Sequence, residues 1–222
     1  MAIIYASVAD GYVLRVNQTS WVNARNNSSG TGYSSTTPGH ASGISTYRSS
    51  SRGGGYAWNI YRSFFVFSTS GISSTLDSAT LKIRGYNNSS GDVIALKATS
   101  SISALGTADF EEIVGWDSSS TDGSGGGDML DSVTKYSELT SSWDTAGYND
   151  ITLNAQALAD MKNDDYIYIA MINNNDLRDI DPAGSDAKNG VYYTDYTGTS
   201  RDPYIDYTVA ATDNAVFFGT NF

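Results

Sequence analysis

Apolar and polar residues alternate with a period of two over much of the chain, which is the spacing of β-strands with one face against a core. The run Ile60 to Phe67 (IYRSFFVF) places Tyr61, Phe65 and Phe67 on one side and Ile60, Arg62, Phe64 and Val66 on the other, so it reads as a central strand apolar on both faces. From Ala79 to Tyr86, Ala79, Leu81, Ile83 and Gly85 alternate with Thr80, Lys82, Arg84 and Tyr86, giving one wet face. The turn residues 87–91 then separate this segment from a strand over Asp92 to Thr99, and the two are expected to pair as an antiparallel hairpin. Further strands are predicted at Tyr12 to Val16, Trp21 to Arg25, Tyr166 to Ile172, Val191 to Tyr196 and Tyr204 to Val209.

Residues 26–55 read as a long loop region with one short strand near Ile44 to Tyr47, and 117–128 (DSSSTDGSGGGD) as a low-complexity loop. Asn154 followed by AQALADMK is the one helix predicted, because Asn is a good N-cap and Leu158 and Met161 share a face. With roughly eight to ten strands, the expected fold is all-β, a jelly-roll-like antiparallel β-sandwich with one short helix and long Gly/Ser-rich loops. One domain is expected over 1–209, followed by a tail at 210–222.

The composition supports this. Sixteen Tyr, 22 Gly and only 17% charged residues among 222 suit strands and loops better than helices. The formal net charge of -11 repels phosphate backbones, so nucleic acid is not an expected partner. Without cysteine there is no disulfide, thiolate metal site or cysteine nucleophile. No stretch reaches the roughly 18 apolar residues of a membrane helix, and the start MAIIYASVADGYVLRV lacks a basic, then apolar, signal sequence. If Met1 is native, the chain is expected to stay in the cytosol until lysis or assembly; one whose signal peptide had been replaced by Met1 would read the same.

Candidate chemistry is sparse. His40 is the sole histidine and lies in TTPGHASG, without the strand–turn–helix context of a catalytic elbow, so it reads as an ordinary loop residue. A glycosidase needs two carboxylates about 5 to 9.5 Å apart, and nothing local singles out Glu111, Glu112 or Glu138 as an acid or a base. No enzyme activity is expected. Asp176, Asp179, Asp181 and Asp186 share one loop, and such hard oxygen donors suit a structural calcium; the competing reading is a solvated acidic loop whose aspartates cap turns. Asp117, Asp122 and Asp128 make a weaker set. Trp116 and Trp143, near loops, with Trp58 and Trp21, are candidates for a sugar-stacking platform, against the alternative that large aromatics fill the core. Val216, Phe217, Phe218 and Phe222 in the tail, and Ile3, Ile4 and Tyr5 at the start, read either as partner-binding arms or as edge strands of the same domain.

Four segments, ADGYVLRVNQTSWVNAR, RSFFVFSTSGISSTLDSATLKIRGYN, YNDITLNAQALADM and RDPYIDYTV, together about a third of the chain, resemble DNRLRE-type β-sandwich domains. Those are relatives of a carbohydrate-binding module family of secreted bacterial proteins, and uncharacterised phage structural proteins share the layout. The middle segment is the most specific and is a fold signature without chemistry. The resemblance implies a β-sandwich that works by binding. The absence of a signal sequence and the tail after Val209 favour the phage relatives. The expectation is therefore a structural protein of a virus particle, a capsid decoration or tail component contacting other virion proteins and copies of itself. The alternative is a secreted or cell-surface module that binds polysaccharide.

Overall fold

The computed structural model describes residues 2–50, 54–89, 91–117, 127–184 and 186–211. These form an all-β sandwich. One sheet has the order β1–β11–β6–β8, built from Ala2–Tyr5, Tyr204–Val209, Leu76–Ser89 and Tyr148–Thr152. The other runs β3–β2–β5–β9–β7, from Gly32–Ser34, Gly11–Gln18, Tyr56–Ser68, Tyr166–Asn173 and Val93–Lys97. Strands β4 (Gly39–Ser50) and β10 (Ala187–Tyr192) join them, β4 pairing with the first half of β5 and β10 with the last part of β6.

The two apolar faces of β5 are explained by two cores. Phe65 and Phe67 point between the sheets, where they meet Leu81, Ile83, Ile151, Ile169 and Ile205. Ile60, Phe64 and Val66 point outward, yet they are buried by Ile102, Leu105, Phe110, Ile113, Met129 and Val133 from the long connection after β7. Helices α1 (Trp21–Arg25) and α3 (Asn174–Leu177) complete this outer layer with Trp21, Ala24 and Leu177. Helix α2 (Ala155–Asn163) closes the inner core through Ala157 and Met161, and Asn154 caps it by accepting the Ala157 N–H at 3.0 Å.

Several expectations need correction. Trp21–Arg25 is a helix and not a strand: the Ser20 hydroxyl accepts the Asn23 N–H as an N-cap, and the three- and four-residue spacing of Trp21, Ala24 and Arg25 buries one helical face. Among the described residues there are three short α-helices rather than one. The region read as a loop with a short strand holds the 12-residue β4, whose polar sequence is kept extended by backbone pairing to both β5 and β10. Strands β6 and β7 do not form a hairpin: Asn87, Asn88 and Ser89, read as turn residues, extend β6 alongside β10, and β7 pairs with β9 in the other sheet. Strand β10 ends at Tyr192, earlier than expected, because Thr194 turns to bind Asp10. Residues 212–222, including Val216, Phe217, Phe218 and Phe222, lie outside the described residues, as does Asp122.

Candidate functional site

The wet face of β6 is the centre of a continuous band of tyrosine and arginine on the outside of the first sheet. Cross-strand register sets Tyr5, Tyr204, Lys82 and Asp150 in one row, with Tyr148 opposite Arg84 beside it. The Tyr204 ring lies 5.7 Å from Tyr5 and 5.0 Å from Tyr148, the latter edge-on. Further along β6, Tyr86 meets Tyr192 at 4.9 Å and Tyr192 meets Tyr196 at 5.3 Å, both at 77°. Arg201 stacks over Tyr192 and Tyr196 at 4.4 and 4.3 Å. The Tyr148 hydroxyl donates to the Asp202 carbonyl at 3.1 Å, tying the two clusters together. Burial, with Tyr204 and Asp202 close by, pushes that hydroxyl up to about 12, so it remains a neutral donor.

Tyr5 and Tyr86 are about half exposed, and the band continues to the sheet edge, where Ile3 is 51% exposed. Strand β1 pairs only with β11 among the described residues, so the backbone groups on its other side are open to a further strand. Ile4 instead packs into the inner core. The Nε of Arg84 is shielded from solvent and has no acceptor. Tyrosine and arginine on an uncovered face are the residues that dominate protein–protein contacts. A pyranose platform needs free, flat ring faces, whereas here edge-on packing and Arg201 already occupy several of them.

A second feature is a cleft of about 350 Å³ whose walls include Tyr166 and Tyr168 with Lys97, Ser100, Asp164 and Asp165. The two tyrosine rings are 6.2 Å apart and inclined by only 32°, and Tyr166 is 47% exposed. Lys97 and the Tyr136 hydroxyl both donate to Asp160, which fixes the cleft floor.

The tryptophans do not form a platform. Trp143 is buried in the inner core, its Nε1 donating to the Gly190 carbonyl. Trp116 lies in the outer layer under the Arg62 and Arg25 guanidinium groups, 4.1 and 5.1 Å away. Trp58 and Trp21 spend their indole N–H groups on Asp181 and Asp179. The four loop aspartates are likewise drawn apart. Asp176 is buried and bound at both oxygens by Arg62, at 2.7 and 2.9 Å; Asp179 and Asp181 hold those indoles; Asp186 pairs with Lys188 at 2.7 Å. Among the described residues no three imidazole or carboxylate groups are gathered to hold a metal. His40 is on β4 rather than in a loop, stacked on Tyr61 at 5.1 Å, and burial lowers its pKa. Glu112 accepts a hydrogen bond from Thr99, and Asp128 pairs with Arg178.

One further carboxylate is unusual. Asp10 is fully buried and accepts from the Thr194 N–H at 3.0 Å and the Thr194 hydroxyl at 2.6 Å. Desolvation, aided by Asp195 and Asp202, outweighs those bonds and pushes its pKa up to about 7.

Sequence reasoning missed Tyr148, Tyr192, Tyr196 and Arg201. The signal that could have found part of the band was the wet alternation of Lys82, Arg84 and Tyr86 and of Tyr204 and Asp206. No protein-family model and no curated protein matches the chain.

Proposed function

We propose that this chain is a non-enzymatic structural subunit of a virus particle, of the phage kind, serving as a capsid decoration or tail component. The observation that carries this reading is the uncovered tyrosine–arginine band running into the open edge of β1. A self-complementary or partner interface centred on Tyr204, Tyr192 and Arg201 would bury aromatic and guanidinium groups of the kind that contribute most to association. The edge strand with Ile3 and Tyr5 would add backbone pairing to a neighbour. Copies of the same chain and other virion proteins are the partners that this reading requires.

A second reading, saccharide adhesion by a secreted or cell-surface module, is favoured by the cleft at Tyr166 and Tyr168, where two gently inclined rings face carboxylate and hydroxyl groups able to bind sugar hydroxyls. One experiment separates the two. The chain and its Arg201→Glu and Tyr204→Ala variants are sedimented alone and with virus-sized particles from the source culture. Assembly predicts that the wild-type chain is abundant in the particle band and that each variant associates at least about tenfold more weakly while melting normally. A chain found only in the soluble fraction, with polysaccharide affinity lost in Tyr166→Ala, would establish adhesion instead.

A further inference from the structure

Where α2 lies beside the start of β6, the surface holds a groove of about 450 Å³. Its apolar walls are Leu76 from β6 and Ala155, Leu158 and Ala159 from α2; Thr75 and Lys162, joined by a hydrogen bond at 3.1 Å, are among the polar ones. Leu76 belongs to the inner core and Leu158 packs against it, so the groove opens directly onto core side chains. Ala155 and Ala159 are exposed, and so is Val209, the cross-strand partner of Leu76, at 53%. Apolar surface continuous with the core is favourably removed from water, and such a patch marks a place where something docks.

The path of the chain says what covers it. Strand β11 ends at Val209, and the next residue, Ala210, donates its N–H to the Thr75 carbonyl at 2.8 Å. Thr75 is itself a wall of the groove, so the chain leaves the described fold at the groove's own edge. The residues that follow, TDNAVFFGTNF over 212–222, carry the apolar run Val216, Phe217 and Phe218. That run begins six residues after the anchored Ala210, a reach of up to roughly 20 Å when extended. The wall that α2 provides, from Ala155 to Lys162, is about 10 Å long at the helical rise per residue. A phenylalanine removes on the order of 150–250 Å² from water when buried, far more than the alanines beside Leu158 cover. We propose that residues 212–222 dock back on their own domain and seat Val216, Phe217 and Phe218 in the groove between α2 and the start of β6. A short tether holds the segment at an effective concentration on the order of millimolar, which a neighbouring copy cannot match in dilute solution. The segment is then a strap over one end of the inner core and not an arm to a neighbour. Association is left to β1 and the tyrosine–arginine band, none of whose residues line the groove. A strap of this kind serves a virion subunit and a secreted module alike.

Because the chain has no cysteine, Ala159→Cys places a single thiol in the groove, and its rate of alkylation by iodoacetamide reads whether the groove is covered. The full chain carrying this change is expected to react at least about tenfold more slowly than the same chain with Phe217→Ser and Phe218→Ser added, and dilution should leave the ratio unchanged. Ser45→Cys, at a fully buried position, serves as the control and should stay unreactive with either tail. If it reacts once both phenylalanines are replaced, Phe217→Ala alone takes their place and must still speed the reaction at position 159 severalfold. Equal rates with either tail would mean an uncovered groove, and protection lost on dilution would mean that a neighbour's segment fills it; each overturns the proposal.

Discussion

Asp176→Asn is expected to lower the stability of the chain by about 3–5 kcal/mol, read as a fall in the midpoint of urea unfolding. Among the described residues Asp176 is the one carboxylate bound to the fully buried Arg62, at both oxygens, and it stands 3.7 Å from the equally buried Arg25. The amide keeps the shape of the side chain but removes the charge, leaving a guanidinium uncompensated where water cannot reach it. The other hydrogen bonds of Arg62 and Arg25 go to the backbone carbonyls of Phe110, Asp176, Gly127 and Leu177 and to the side-chain amide oxygen of Asn26, which are dipoles and not charges. Asp179 is 3.7 Å from Arg25 and offsets part of that second charge. Because the two guanidinium groups also stack on Trp116 and Phe110, the loss should be concentrated in the outer layer. Hydrogen exchange should show the connection after β7 opening before the strands. The double variant Arg62→Met, Asp176→Leu removes both charges together and should be more stable than Asp176→Asn, since the cost lies in the orphaned charge rather than in losing the pair. A single-variant loss below about 1 kcal/mol would mean that water reaches the pair in solution.

This cluster also marks where sequence reasoning stopped. Arg62 stood in plain view as the one charged residue on an apolar face of β5, a position that demands a buried partner. That the partner is Asp176, 114 residues away, depends on how β9 and α3 lie beside β5, which no local pattern encodes. The same limit explains the hairpin expected between β6 and β7. Both strands were legible from their alternation, but pairing is a property of the two sheets, and Asn87, Asn88 and Ser89, whose residue types suit a turn, instead extend β6 along β10. Tryptophan was misleading for a related reason. A large amphipathic ring near a loop suits a platform, yet the indole N–H of Trp143 finds the Gly190 carbonyl inside the core. The tyrosine–arginine band was half legible, since alternation put Tyr86 and Tyr204 on wet faces; only the register brought Tyr5 and Tyr148 to Tyr204, and only the loop between β10 and β11 brought Arg201 onto Tyr192.

The second large effect is one of pH. Asp10 binds a proton in the folded chain with a pKa of about 7, against an ordinary aspartate value of 3.8. Between those limits the folded state holds a proton that the unfolded state has released, so stability must fall as pH rises from about 4 to about 7 and level off above. The stabilisation is complete below the unfolded value and gone above the folded one; the full span corresponds to about 4 kcal/mol. Asp202 and Asp195 are also pushed up by burial and act in the same direction. His40 opposes them, because its lowered pKa lets the unfolded chain take up a proton first as pH falls through the usual histidine range. Urea unfolding at intervals from pH 4.5 to 8 should therefore give a declining profile in the wild type, a steeper one in His40→Gln, and a largely flat one in Asp10→Asn. The asparagine keeps an oxygen for Thr194 and cannot ionise, so at pH 8 this variant should match or exceed the wild type in stability. If it is instead less stable than the wild type at every pH, the Thr194 bonds to an ionised Asp10 outweigh its desolvation. The consequence would reach the tyrosine–arginine band, because Thr194 starts the loop that presents Tyr196 and Arg201, and ionisation of Asp10 puts a third charge beside Asp195 and Asp202 beneath it.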